Sequence, residues 1–146
     1  LLYYMKTIRF GTMNNDFYTL TTYIHNKILI TYPMEDYLEM IYRKKEEPLT
    51  ITSLSKHLNI KKSSCSKMIS KLKYLDLINN NNSITLTKKG LEIGKYLYHR
   101  HEILEIFLKE LNKENFKLEQ VEKLEHFIDE ITLVNIEKRL KNYPPK

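Results

Sequence analysis

Apolar residues recur at the i, i+3, i+4, i+7 spacing of one helical face twice in close succession, first as Met34, Tyr37, Leu38 and Ile41, then as Cys65, Met68, Ile69 and Leu72. Such stripes bury only when helices pack on one another. The chain also has few places to turn: 3 glycines and 4 prolines in 146 residues favour long helices with short connections and argue against an all-β architecture. Pro33 suits the first turn of the first helix, where a missing N–H costs nothing, and Glu35 and Asp36 sit where the helix dipole favours negative charge. That helix is expected to end near Lys44 or Lys45, ahead of Glu46-Glu47-Pro48.

Thr52 can cap a second helix whose apolar positions Leu54 and Leu58 lead toward Ile60, and Lys61-Lys62-Ser63 opens the third. Two short helices joined by a tight turn, the second with hydroxyl residues at its start, have the form of a helix-turn-helix. Ser63, Ser64 and Ser66 are small enough to let that helix approach base edges, and Lys62, Lys67 and Lys71 can reach phosphates. On spacing alone, a polar solvated face accounts for them as well. Next, Leu77-Ile78, Asn79 to Ser83 and Ile84 to Thr87 read as a hairpin, which completes a winged helix or merely covers the core. The hydrophobic residues suit both options equally well, and the same stretch is the basic footprint of the chain. Between Leu49 and Tyr98 nine lysines face only Asp76 and Glu92, within a chain of formal net charge +6.

Thr87 can cap a long fourth helix with Ile93, Leu97, Leu104, Leu108 and Leu111 on one stripe. His101 falls in that stripe, where a histidine is more often a hydrogen-bonded core residue than a ligand. A fifth helix carries Val121, Leu124, Ile128 and Ile131, with Glu122, Glu125, His126 and Asp129 as an adjoining polar arc. Asp36 and Glu39 flank the stripe of the first helix in the same way. Packing the first, fourth and fifth helices together would gather six ligand-type residues, Asp36, Glu39, His101, Glu122, Glu125 and His126. Burying so many carboxylates calls for one or two divalent cations, unless the three faces are unrelated and solvated. The single cysteine, Cys65, excludes an internal disulfide and a cysteine-based zinc cage and suits a reducing cytoplasm. Leu1 to Thr12 lack the features of a signal peptide, and no apolar run is long enough to cross a membrane.

Several of these segments carry a family likeness. Met34-Glu35-Asp36-Tyr37-Leu38-Glu39-Met40-Ile41-Tyr42, Ser63-Ser64-Cys65-Ser66-Lys67-Met68, Leu86-Thr87-Lys88-Lys89-Gly90 and Arg100-His101-Glu102-Ile103-Leu104-Glu105 together closely resemble the manganese transport regulators of the diphtheria toxin repressor family. The resemblance covers Met34 to Tyr143. It implies a mostly α chain with a winged helix-turn-helix DNA-binding domain (34–98), then an all-helical metal-binding and dimerisation domain (99–146), preceded by an extension (1–33) of no assigned role. It also implies a regulator rather than an enzyme, with Asp36, Glu39, His101, Glu122, Glu125 and His126 holding two manganese ions per subunit. Oxygen-rich ligands with two imidazoles suit manganese or ferrous iron, and other divalent ions would compete. Iron-sensing relatives carry methionine and cysteine where this chain has Asp36 and Glu125. The implied partners are a second copy of the chain, with Phe127, Leu133, Ile136 and Leu140 as apolar surface for it, and a palindromic duplex DNA operator controlling metal uptake. The wing is short and Asn-rich from Asn79 to Asn82, where relatives commonly carry basic residues. An iron-responsive member of the same family and a metal-independent winged-helix regulator are the competing readings. A binuclear hydrolase is disfavoured, since the candidate acids and histidines are already used as ligands.

Overall fold

The computed structural model describes residues 30–142, so the expected extension lies outside the described residues except for its last four positions. The chain is mostly helical. In order, the elements are α1 (Tyr32–Arg43), α2 (Ile51–His57), α3 (Lys62–Tyr74), β1 (Ile78–Asn80), β2 (Ile84–Leu86), α4 (Lys88–Asn112), a 3₁₀ turn (Lys113–Asn115), α5 (Leu118–Leu124), a second 3₁₀ turn (Glu125–Phe127) and α6 (Glu130–Asn142).

Pro33 lies in the first turn of α1, whose stripe of Met34, Tyr37, Leu38 and Ile41 is buried as its spacing requires. The start of α2 differs from expectation. Its cap is Thr50, not Thr52, because Thr50 and Ser53 satisfy each other: Ser53 N donates to Thr50 Oγ1 at 3.1 Å and Thr50 N to Ser53 Oγ at 2.9 Å. Helix α2 ends on Asn59 at φ 53°, with Ile60 N donating to Ser55 O and Asn59 N to Lys56 O. Asp76, at φ 58°, closes α3 by the same pair of bonds. Asparagine and aspartate tolerate this left-handed geometry, so both turns stay short without glycine.

The hairpin is antiparallel, with Ile78 opposite Leu86 and Asn80 opposite Ile84, so Asn79 and Asn80 belong to the strand rather than the turn. Ile84 N also donates to Leu49 O at 2.8 Å, tying the hairpin to the loop before α2. Thr87 caps α4 as expected, accepting from Gly90 N at 3.1 Å and donating to Asp76 O at 2.7 Å. Both glycines of α4 are needed for close approach. A Cβ on Gly90 would lie 1.9 Å from Leu77 O, and one on Gly94 2.9 Å from Tyr42 Cβ.

The described residues form two cores. One is built from α1, α2, α3, the hairpin and the first half of α4, around Leu38, Leu54, Cys65, Leu72 and Leu97. The other lies between the second half of α4, α5 and α6, around Leu104, Leu108, Val121 and Leu133. Tyr96 packs against both. The expected boundary between Tyr98 and His99 therefore falls inside one continuous helix. The second core also corrects the apolar surface assigned to dimerisation: Leu133 is buried, and Ile136 and Leu140 pack on it, whereas Phe127 stays exposed together with Ile131 and Val134.

The fifth helix expected from the sequence is interrupted. Helix α5 stops at Leu124, Glu125 to Phe127 form a 3₁₀ turn, and Ile128 is extended. Asp129, placed by periodicity in the polar arc, instead opens α6 by accepting from Thr132 N at 2.7 Å. This break swings Glu125 and His126 inward while Glu122 remains on the exposed side of α5.

Candidate metal centre

Helix α1 places Glu35, Asp36 and Glu39 along the side that meets α4 and the 3₁₀ turn at Glu125–Phe127. Helix α4 contributes Arg100 and His101 from its midpoint. Two sets of donor atoms converge there, Glu39 with His101 and Glu125, and Asp36 with Glu125 and His126, each set lying within 4.8 Å. Glu125 belongs to both. Five of the six ligand candidates thus come together, and Glu122 is in neither set.

The first set is buried throughout. His101 Nδ1 lies 2.8 Å from Glu125 Oε2 and 3.7 Å from Glu39 Oε1, and its Nε2 is 3.5 Å from Glu105 Oε2. Burial and the neighbouring Glu125 charge push the Glu39 carboxyl up, against the pull of His101 and Arg43. The hydrogen bond to Glu125 raises the His101 imidazole above its ordinary value. The second set is more open, because Asp36 is exposed. Its His126 Nε2 is 3.4 Å from Asp36 Oδ1, and its Nδ1 is 2.7 Å from Glu35 Oε2. Burial disfavours the charged ring, but the bonds to Asp36 and Glu35 outweigh it and hold the His126 pKa at about 9. Tyr32 stacks on the ring at 4.9 Å and meets Phe127 edge-on.

These residues fit a divalent cation on their own chemistry. Three carboxylates and two imidazoles converge, and a divalent cation would offset the mutual repulsion of the carboxylates. Oxygen and imidazole donors without sulfur match a first-row ion of manganese or iron type.

Sequence reasoning missed the partner that orients this cluster. Glu35, read as a dipole complement, is 1% exposed and receives Arg100 Nη2 at 2.6 Å as well as facing His126. Arg100 is equally buried. The signal was present: Arg100 stands three residues after Leu97 and four before Leu104, on the apolar stripe itself, where an arginine demands an acidic partner. By holding the Nδ1 edge of the His126 ring, Glu35 leaves the Nε2 edge toward Asp36.

Helix α3 buries Cys65, Ile69 and Leu72 and exposes Lys62, Ser63, Ser64, Ser66, Lys67 and Lys71, all six DNA-contact candidates. Asp36, Tyr37, Ser64 and Met68 line one groove between α1 and α3, so the metal cluster and the exposed helix share a wall.

Comparison with known proteins places this geometry. Residues 30–81 match the model of the iron dependent repressor N-terminal DNA binding domain, and residues 87–144 match that of the iron dependent repressor metal binding and dimerisation domain. A helix-turn-helix-type transcriptional regulator of Methanocaldococcus jannaschii is 35% identical over 120 residues, covering 77% of this chain and 96% of its own length. The chain belongs to the iron-dependent repressor family. Within this family, the transcriptional regulator MntR of Shouchella clausii is 38% identical over 100 residues, which is 65% of this chain and 70% of that protein. The solved manganese regulator SloR shares 30% identity with a TM-score of 0.64, covering 75% of this chain and 54% of its own. The chain spans about half the length of that solved regulator. Family membership makes the chain a metal-dependent DNA-binding regulator and not an enzyme. The first match covers α1 to β1 and the second α4 to α6. Among the described residues no helix is long and apolar enough to cross a membrane.

Proposed function

We propose that the chain is a manganese-responsive repressor that acts in the cytoplasm as a homodimer on a palindromic operator, with two metal ions per subunit. The observation that carries this reading is Glu125, whose carboxylate belongs to two donor sets at once, one reaching Glu39 and His101 and the other Asp36 and His126. A shared carboxylate between two sets is the arrangement a binuclear centre needs. Bound ions would supply positive charge that neutralises the carboxylates and ties α1 to α4 and to the turn after α5. Glu122, exposed on α5, would be the sixth residue to hold the ions. Helix α1 also packs on the DNA-binding core through Leu38 and Ile41, so fixing Asp36 and Glu39 restrains the half that carries Lys62, Ser63, Ser64, Ser66, Lys67 and Lys71. Two such helices related by a twofold axis would read half-sites about one helical turn apart.

Metal and DNA then strengthen each other by the same factor, a coupling of about 1–3 kcal/mol. The test is a titration of a duplex selected from a random pool, with and without manganese, for the wild type and Glu125→Ala. Equal affinity in all four arms would sink the proposal. Running the same titration anaerobically with ferrous iron separates a manganese sensor from an iron sensor of the same family.

A further inference from the structure

Arg43 stands in the last turn of α1, four residues after Glu39, and its Nη2 donates to Glu39 Oε1. That oxygen is the one 3.7 Å from His101 Nδ1, on the side where Glu39, His101 and Glu125 converge. The arginine side chain is 38% exposed while that of Glu39 is 11% exposed, so the guanidinium sits at the mouth of a buried cluster. Its head also lies over the Tyr98 ring, 5.4 Å from the centroid, which gives it a perch on α4 that does not depend on Glu39.

A guanidinium has five donors and no acceptor, so it cannot ligate a metal; it can only occupy a carboxylate or repel an incoming cation. In the metal-free protein its positive charge lies against Glu39 and offsets part of the repulsion between Glu39 and Glu125, which converge there. Resting on the metal-sensing reading above, we propose that Arg43 is a built-in competitor for the metal: it holds Glu39 when the centre is empty, gives it up to an entering divalent ion, and so sets the metal concentration at which the protein responds. The exchange needs no backbone change. Glu39 turns its oxygen to the ion, and Arg43 stays over Tyr98 or moves to solvent.

This role has a signature that a purely structural ion pair lacks. Removing Arg43 weakens the metal-free fold and tightens metal binding, two effects of opposite sign. The experiment is calorimetric titration of manganese into metal-free protein at about pH 8, where carboxylates are ionised, for the wild type, Arg43→Met, Arg43→Lys and Arg139→Met. The last removes one positive charge from the exposed side of α6, away from the centre. Thermal melting of the metal-free forms runs in parallel. Arg43→Met is expected to bind manganese on the order of fivefold more tightly and to melt a few degrees lower without metal. Arg43→Lys should bind near the wild-type value and Arg139→Met should match it. Unchanged or weaker binding by Arg43→Met overturns the proposal, as does an equal gain in Arg139→Met or in Arg43→Lys. A wild type that takes up no divalent ion overturns the metal-sensing reading itself and this inference with it.

Discussion

Arg100→Met tests whether the buried pair with Glu35 holds α1 to α4. Both side chains are 1% exposed and their atoms meet at 2.6 Å, so removing the guanidinium leaves a carboxylate buried beside His126. Breaking one partner of a buried pair costs about 3–5 kcal/mol. His126, with its pKa held at about 9, remains as a cation 2.7 Å from Glu35, which puts the expected loss at the low end, about 3 kcal/mol. For a chain of this size that corresponds to a melting shift of roughly 6–12 °C. Adding Glu35→Gln removes the stranded charge, so the double variant should regain about 1–2 kcal/mol over the sum of the single losses. Urea unfolding of the metal-free protein, followed by far-ultraviolet circular dichroism, gives all four corners of the cycle. Single losses below about 1 kcal/mol, or losses that simply add, would refute the reasoning.

Stability and metal affinity should respond to pH in opposite directions. The folded His126 pKa is above the ordinary 6.5, so its stabilisation of the metal-free protein is complete below that value and lost as pH rises through about 9; calorimetric melting across this range should fall accordingly. Metal must displace protons from His126 and His101, so titrations near neutral pH in two buffers of different ionisation enthalpy should report net proton release. Glu125→Ala should abolish binding of both ions, while Asp36→Ala should spare the Glu39 and His101 set; metal counting by equilibrium dialysis distinguishes them. Gly90→Ala places a Cβ 1.9 Å from Leu77 O and should cost about 3 kcal/mol or more, read from the urea midpoint.

Much of the fold could be read from local pattern, because periodic stripes and turn chemistry act within a few residues. The stripes of α1 and α3, the hairpin and the Thr87 cap all emerge that way, and Asp36, Glu39, Glu125 and His126 stand out by helical spacing, whereas His101 read alone as a core residue and joined the ligand candidates only through the packing of the helices and the family likeness. What escaped depends on neighbours distant in sequence or on competition between near-equal local options. Thr50 prevails over Thr52 as a cap only through its reciprocal bonds with Ser53. Helix α5 stops at Leu124 and Asp129 takes the start of α6, a role that periodicity cannot distinguish from a continuing polar arc. Glu35 and Arg100 are 65 positions apart, and only packing of α1 on α4 brings them together. Leu133 looked like spare surface because the second core exists only when α6 folds back on α4.

The 25 residues of α4 form one rod of about 37 Å. His101 lies near its middle, and the Lys88 end, beside the hairpin and Leu77, is about 20 Å away. A lever of that length magnifies small movements: a pivot of about five degrees at His101 carries the Lys88 end by on the order of 2 Å. Gly90 and Gly94 press the rod against backbone at Leu77 and Leu38, so the displacement is handed on to the hairpin and α1 without slack. Leverage along α4 would thus turn a small rotation at His101 into a displacement of about 2 Å at the hairpin end.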